Sequence, residues 1–357
     1  MLEEESELHQ EEPPPPPAPP RRRRGLRVLL ALLLLFILIV GAGAGYVAWA
    51  MGGSPNGPSV RVIVSEGASG AEIAAALQRA KVIRSAFIFR IIARIRGVST
   101  DLKPGAYDLR VGMGIDAALT ALKNGVPLKV FKFTIPEGKT IPEIAEIVAK
   151  NSPITAVQFL AACRSGRHRL PIMPKGSTNL EGLLFPKTYE IVEKTTADEL
   201  VDMMLNQFTI DTAGLDFSKA AAHHITPYEA VIVASLIERE AKIEKDRPLI
   251  ASVIYNRLAR PMRLQIDATV EYAILLQTGH YKFPLTTADY TNVHSPYNTY
   301  LVDGLPPAPI ASPGLLSLQA ALNPATTNYY YYVLSSDQQS HCFATDQAGF
   351  ERCRNAS

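Results

Sequence analysis

An unbroken apolar run from Val28 to Met51 stands directly behind a cluster of arginines, Arg21 to Arg24 and Arg27, and it limits the fold more than any other feature. The run is about 24 residues long, and a helix needs ~20 to cross the hydrocarbon core of a bilayer. No charged residue follows until Arg61. Cations on one flank only place the N-terminus in the cytoplasm and everything after residue 55 or so outside it. The competing reading is a cleaved signal peptide, since Ala48-Trp49-Ala50 has the small-x-small form of a cleavage site. Signal cores run to ~7–15 residues, and this one is longer and follows a long charged leader, so a retained anchor over 28–51 is expected. Residues 1–12 are acidic and polar, and Pro13 to Pro20 are almost all proline. Neither stretch can bury a core, so a disordered cytoplasmic tail is expected over 1–27.

The 357 residues allow about two domains besides the anchor. A formal net charge of +2 gives no reason to expect a nucleic-acid partner. Cys163, Cys342 and Cys353 form no CxxC pair and no Cys/His ligand spacing, so no metal site is expected. Cys342 and Cys353 are close enough in sequence for an exported chain to oxidise them. Two free thiols fit equally well, because sequence separation does not set the Cα distance a disulfide needs. Cys163 then reads as a small buried apolar residue.

After a linker at 54–58, a pattern occurs twice. Ile63-Val64-Ser65-Glu66-Gly67 runs into Ala71-Glu72-Ile73-Ala74, and Thr134-Ile135-Pro136-Glu137-Gly138 into Pro142-Glu143-Ile144-Ala145. Each copy reads as strand, glycine turn and helix, with Ser69 or Thr140 three residues before an acid, the spacing of a capping box. The repeated unit resembles the LysM module, which binds the N-acetylated sugars of peptidoglycan and chitin. Two similar βα units without a ligand are the plain alternative. The expected division is a LysM-like module over 59–130 and a larger domain over 131–350 that begins with the second copy. Between the copies, 83–95 reads as one or two helices and 102–109 as a turn into a strand. Helical periodicity at 199–208, 227–245 and 247–259, turn-rich 291–314 and a strand-like tyrosine run at 329–334 do not alternate regularly. The expected class is therefore α+β and not a doubly wound sheet.

The chain lacks G-x-S-x-G, H-E-x-x-H, a Walker loop and a helix-opening G-x-G-x-x-G, which removes the usual signatures of serine-nucleophile, zinc-hydrolase and nucleotide chemistry. Seven scattered histidines form no ligand set, and His223-His224 reads as a loop pair. The segment from Thr226 to Arg247 is the most informative. Thr226, Pro227 and Glu229 open a helix, and Tyr228 to Ile237 is apolar almost all round, which only a buried helix can be. Its far end carries Glu238, Arg239 and Glu240. Two residues apart is roughly 200° around a helix, so the two carboxylates cannot share a face. Glu238 has Lys242 at i+4, as in a surface ion pair. Glu240 lies over Leu236 and Ile237 with Glu244 at i+4, and an apolar floor and a like charge both push a carboxyl pKa upward. Glu240 is therefore the expected acid catalyst, and Glu238 the fallback.

Downstream come Tyr255-Asn256-Arg257-Leu258, Met262-Arg263-Leu264-Gln265-Ile266-Asp267-Ala268-Thr269-Val270, Tyr297-Asn298-Thr299-Tyr300 and Gly304-Leu305-Pro306-Pro307. Amides, hydroxyls and aromatic rings in proline-stiffened loops suit a sugar-polymer groove; Asn298 could equally cap a turn. Gln265, Asp267, Tyr297, Asn298 and Asn256 are the candidate substrate-binding residues.

With Ala234-Ser235-Leu236-Ile237-Glu238-Arg239-Glu240 ahead of these motifs, the order resembles the endolytic murein transglycosylases, the MltG or YceG-like family. The similarity reaches back to Glu181-Gly182-Leu183-Leu184-Phe185-Pro186 and forward to Asn323-Pro324 and His341-Cys342-Phe343. The resemblance implies cleavage of β-1,4 bonds between N-acetylmuramic acid and N-acetylglucosamine in nascent strands, leaving 1,6-anhydro ends. It also implies a glutamate of the E-x-E helix as catalyst, which maps to Glu240. One departure is Ile266-Asp267-Ala268-Thr269 where the family often has Thr-Asp-Pro-Thr, so a looser turn is expected after Asp267. The expected partners are peptidoglycan strands and the cell inner membrane, with a peptidoglycan synthase of the elongation or division machinery as a further candidate. No cofactor is expected. The alternatives are a hydrolytic muramidase using Asp267 or Glu271 as base, and a non-catalytic peptidoglycan-binding scaffold.

Overall fold

The computed structural model describes residues 22–54, 56–98, 102–125 and 127–356, with side chains from residue 27 onward. Nearly all of the expected acidic, proline-rich tail lies outside the described residues. Two compact units divide the chain, Met1–Pro127 and Leu128–Ser357.

In the first unit, helix α1 (Arg22–Met51) contains the apolar span, Arg27–Met51, with a mean hydropathy of 2.8. Its side chains are exposed from 27 to 46, as a surface meant for lipid would be. Its last turn differs, because Ala50 is wholly buried and Val47 and Met51 pack on the unit's core. Strands β1 (Ser59–Val64) and β2 (Gly105–Arg110) pair antiparallel, with Val62 opposite Tyr107. Helices α2 (Gly70–Arg79) and α3 (Ala86–Ile95) connect them, and α4 (Ile115–Asn124) follows. Val62 and Val64 alternate inward from β1 to meet Ile73 and Leu77 of α2, the period-2 and period-3.6 faces of one small core.

The second unit opens with the same order of elements. Strands β3 (Val130–Thr134) and β4 (Thr188–Val192) pair antiparallel, with α5 (Ile141–Asn151) and α6 (Ala156–Arg164) between them. Both capping boxes read from the sequence are present, Ser69 with Glu72 and Thr140 with Glu143. The repeated glycines take the same left-handed turn, Gly67 at φ 75° and Gly138 at φ 74°, where a side chain would be strained.

Seven further α-helices, two short 3-10 helices (Phe217–His223 and Glu244–Asp246) and a hairpin complete this unit among the described residues: α7 (Ala197–Asp211), α8 (Pro227–Glu240), α9 (Arg247–Leu258), α10 (Asp267–Thr278), α11 (Thr287–Asn292), α12 (Leu315–Leu322), strands β5 (Tyr331–Leu334) and β6 (His341–Ala344), and α13 (Gln347–Ala356). The class is mixed α+β, as expected. Helix α8 is its axis: every residue from Ala230 to Ile237 is buried, and α9, α10 and α12 pack around it. Burying a Val, Leu or Ile side chain contributes roughly 1.5–3 kcal/mol, so this helix is held far more firmly than its propensity alone would allow.

The helix expected to run to 245 stops at Glu240. Ala241 turns to φ −69° and ψ 124°, an extended conformation, so Lys242 and Glu244 leave the helical register. The two late cysteines are joined. Cys342 of β6 and Cys353 of α13 form a disulfide with Cα atoms 5.7 Å apart, fastening the last helix to the hairpin. Cys163 is buried, and burial pushes its thiol up to about 12.

Candidate active site

Helix α8 delivers three charged side chains at its C-terminal end, in three directions. Glu238 turns inward. Its Oε2 accepts from the Gly314 amide at 3.0 Å and the Ser317 hydroxyl at 2.8 Å, closing the N-terminus of α12, and Arg247 stands 3.5 Å from its Oε1. Its side chain is only 7% exposed, so Glu238 is a structural carboxylate tied to α12 and Arg247. The expected Lys242 partner is absent because the helix ends two residues earlier and the i+4 geometry does not exist. A Cβ at Gly314 would overlap the Glu137 carboxylate, which would have to swing aside.

Arg239 donates to Glu271 of α10 at 3.0 Å and lies over the Tyr281 ring, 5.2 Å from its centroid. Glu240 faces a cleft of about 640 Å³, a volume usual for ligand sites. Its Oε2 accepts one hydrogen bond, 3.1 Å from the Tyr332 hydroxyl on β5. Burial pushes its carboxyl up to about 7, the nearby Asp267 and Glu271 charges add to this, and Tyr332 and Lys242 act against it. The last residue of a helix also sits at the negative end of the helix dipole, which disfavours a carboxylate there. The raised value and its main cause, an apolar setting, were expected, but the like charges named beside it come from Asp267 and Glu271 of α10 and not from Glu244.

The cleft walls come from elements far apart in sequence. Asp267, the first residue of α10, accepts from the Tyr300 hydroxyl at 2.5 Å and the Tyr290 hydroxyl at 3.1 Å. Burial beside Asp267 pushes the Tyr300 phenol up, so it stays a donor. Arg257 is buried and donates to the Tyr330 carbonyl at 2.6 Å and the Leu264 carbonyl at 2.6 Å, tying the tyrosine strand to the loop before α10. Gln347 and Phe350 of α13 complete the wall. The turn expected to be loose is held: the Ile266 amide donates to Thr299 Oγ1 at 2.9 Å, and Thr269 Oγ1 returns to the Ile266 carbonyl at 2.6 Å.

Of the five residues expected to bind substrate, Gln265 and Asp267 line this cleft. Gln265 reaches it from a left-handed backbone at φ 49°, uncommon for a residue with a side chain. The other three do not. Asn298 is fully buried, and its Nδ2 donates to the carbonyls of Val293 at 2.9 Å and Tyr290 at 3.1 Å, the turn-capping alternative. Tyr297 is buried edge-on against Tyr272, centroids 4.9 Å apart. Asn256 donates to the Thr327 and Tyr329 carbonyls at 3.0 and 2.9 Å, anchoring the approach to β5. Sequence reasoning missed Tyr332, Tyr290 and Tyr300 as site residues. The tyrosine run at 329–334 and the Y-N-T-Y motif were visible, but only the contacts of Tyr332 with Glu240 and of Tyr300 with Asp267 place them at the cleft.

Comparison with known proteins agrees with this architecture. The family model described as the YceG-like family matches residues 62–356. A Streptococcus pneumoniae protein named endolytic murein transglycosylase is 32% identical over 318 residues, 82% of this chain. The chain spans 57% of the length of that relative. A Bacillus subtilis protein of the same name is 32% identical over 295 residues, 78% of this chain and 79% of the relative. A crystal structure of a YceG-like protein from Listeria monocytogenes superposes with a TM-score of 0.56 at 29% identity, covering 82% of this chain and 98% of that one. One family match thus runs from β1 to α13 and takes in every residue of the Glu240 cleft, and the chain belongs to the YceG-like family.

Proposed function

We propose that this chain is a membrane-anchored endolytic murein transglycosylase that cuts glycan strands with Glu240 as its sole acid/base. The observation that carries the reading is a single carboxyl raised to about 7 in a walled cleft, able to give a proton near neutral pH and take one back. Glu240 protonates the leaving glycosidic oxygen as positive charge develops at C1. The resulting carboxylate removes the proton from the muramic C6 hydroxyl, which attacks C1 and closes the 1,6-anhydro ring. Substrate supplies its own nucleophile in a fixed geometry, so a second carboxylate and water are unnecessary. Asp267 and Glu271, the bases a hydrolase would use, are already engaged by two tyrosines and by Arg239. This favours transglycosylation over hydrolysis.

The two strand–helix–helix–strand units support LysM-like glycan contacts. The arginine flank and the apolar helix support a single-pass inner-membrane anchor with the N-terminus cytoplasmic. The small-x-small site within α1 is built into the first unit: Ala50 is buried, and the Trp49 carbonyl accepts from Arg84 at 2.7 Å. This favours a retained anchor over a cleaved signal. A disulfide beside the cleft fits an oxidising compartment outside the cytoplasm.

The test is digestion of purified peptidoglycan by the detergent-solubilised full chain, wild type, Glu240→Gln and Glu238→Gln, with products read by mass spectrometry. Anhydro-muramic ends from wild type and their loss in Glu240→Gln, by at least roughly 10²-fold, are expected. Reducing ends would mean hydrolysis, and no cleavage by folded protein would mean a scaffold. Glu238→Gln is expected to lose stability first, because it loosens the start of α12.

A further inference from the structure

A second cleft of about 480 Å³ adjoins the first. Arg239, Lys242, Glu271 and Phe283 line both, so the two form one groove with the end of α8 as its floor. Beyond those shared residues the second part is bounded by Glu137, Gly138 and Lys139, the turn of the second repeat, by Glu238, and by Tyr281 and Lys282.

The cations of this groove are almost all engaged. Lys139 pairs with Glu143 at 2.7 Å, Lys282 with Asp289 at 2.6 Å and Arg239 with Glu271 at 3.0 Å. Lys242 is the exception: exposed, at the junction of the two clefts, it makes no hydrogen bond or ion pair among the described residues. Phe283, which also lines both clefts, is 85% exposed and offers the groove an apolar face. The Lys242 charge already favours the ionised form of Glu240, but a neutral sugar chain offers the ammonium no partner of its own. An anionic substituent does, and on a muramic polymer the available anion is a carboxylate.

Resting on the transglycosylase reading, we propose that the second cleft is an extended substrate subsite in which Lys242 pairs with a carboxylate carried by the strand, beside Phe283. The carboxylate belongs either to a stem peptide or to the lactyl group of an unsubstituted muramic residue. The subsite makes the enzyme select where on a strand it cuts, because one substituent position relative to the scissile bond is read by charge.

Three polymers separate the cases: stem-bearing strands, the same strands with their carboxylates converted to amides, and strands stripped by an amidase, which keep the lactyl carboxylate alone. The readout is the ratio of kcat/KM on each anionic polymer to that on the amidated one, so that any effect of Lys242 on Glu240 itself cancels. Wild-type full-length chain is expected to prefer one anionic polymer by about 3- to 5-fold at low salt, the scale of one accessible ion pair. Raising salt is expected to erase the preference. Lys242→Gln should bring the ratio to about one, and Lys242→Arg should retain it. A loss confined to stem-bearing strands assigns the stem carboxylate, and one confined to stripped strands assigns the lactyl group. Unchanged ratios in Lys242→Gln overturn the subsite. If wild type produces no anhydro ends on any polymer, the transglycosylase reading falls by itself. The subsite is then decided by the dissociation constants of Glu240→Gln and Glu240→Gln/Lys242→Gln on the same three polymers, where equal values overturn it.

Discussion

Glu238 and Glu240 are two residues apart on one helix and meet opposite surroundings. One closes the start of α12 beside Arg247, and the other meets a tyrosine hydroxyl in a cleft with two further acids nearby. That contrast makes Tyr332 the residue to test. Its hydroxyl bonds the charged form of Glu240 and so pulls the carboxyl pKa down against burial. In Tyr332→Phe the opposing pull is gone, the pKa rises above about 7, and Glu240 stays protonated to higher pH. The alkaline limb of the kcat/KM profile should move up by about one pH unit, since a hydrogen bond to a charged group is worth roughly 1.5–3 kcal/mol and a unit is 1.36. A limb that stays in place, or moves down, would remove Glu240 as the titrating acid. That Glu238 and Glu240 face apart was legible in the sequence from helical geometry, and the preference for Glu240 rested also on its apolar floor, an expected Glu244 charge and the family resemblance. The neighbours of Glu240 were not legible. Asp267, Glu271 and Tyr332 reach it from α10 and β5, and i+4 reasoning looks only along the helix that α8 does not continue. Asn298 and Asn256 show the converse error: polar residues in a suggestive motif, both consumed by backbone carbonyls.

Helix starts and their caps were the most legible elements, because a capping box is written within four residues, as at Thr226 and Glu229. Long-range ties were the least legible. Glu181 is buried, its carboxylate accepting from the Ile141 amide at the start of α5 and from the Tyr272 hydroxyl on α10, at 3.1 Å each. Burial pushes it up to about 8, so the second repeat is joined to the helical core through a carboxyl that is largely neutral. The Cys342–Cys353 disulfide is a tie of the same kind. Helix α13 packs on β5 and β6, its Gln347 and Phe350 wall the Glu240 cleft, and the disulfide holds it there. Cys353→Ser should cost roughly 2–3 kcal/mol of local stability, the usual scale for closing a short loop. Hydrogen exchange should speed up across 331–356 while α8 stays protected. Cleavage should fall several-fold, because Phe350 and the Tyr332 strand lose their backing. Uniform exchange in both proteins would mean that packing alone holds α13, and a rate unchanged in spite of loosened exchange would mean that this wall takes no part in substrate binding.

At the scale of the whole molecule, hydrophobic patterning made the apolar span and the α+β class legible, while the division of labour between units depends on which residues share a core. Each unit has its own: Ile73, Leu77 and Leu119 belong to one, and Ile144, Leu184 and Leu236 to the other. Every residue lining the Glu240 cleft lies in Leu128–Ser357, and the apolar helix lies in Met1–Pro127. A unit with a complete core and both halves of its disulfide should fold by itself. Residues 128–357, produced in an oxidising compartment, should therefore melt cooperatively and remain in solution. On short soluble glycans their kcat/KM should stay within about threefold of the full chain, because the chemistry and its walls are all retained. On intact sacculi it should fall by at least about tenfold, since removing the anchor and the first strand–helix–helix–strand unit removes linked attachments whose avidity raises local concentration. Equal rates on sacculi would deny the first unit any part in holding glycan. A fragment that folds yet is inactive on the short glycans would place part of the working site in the residues before 128.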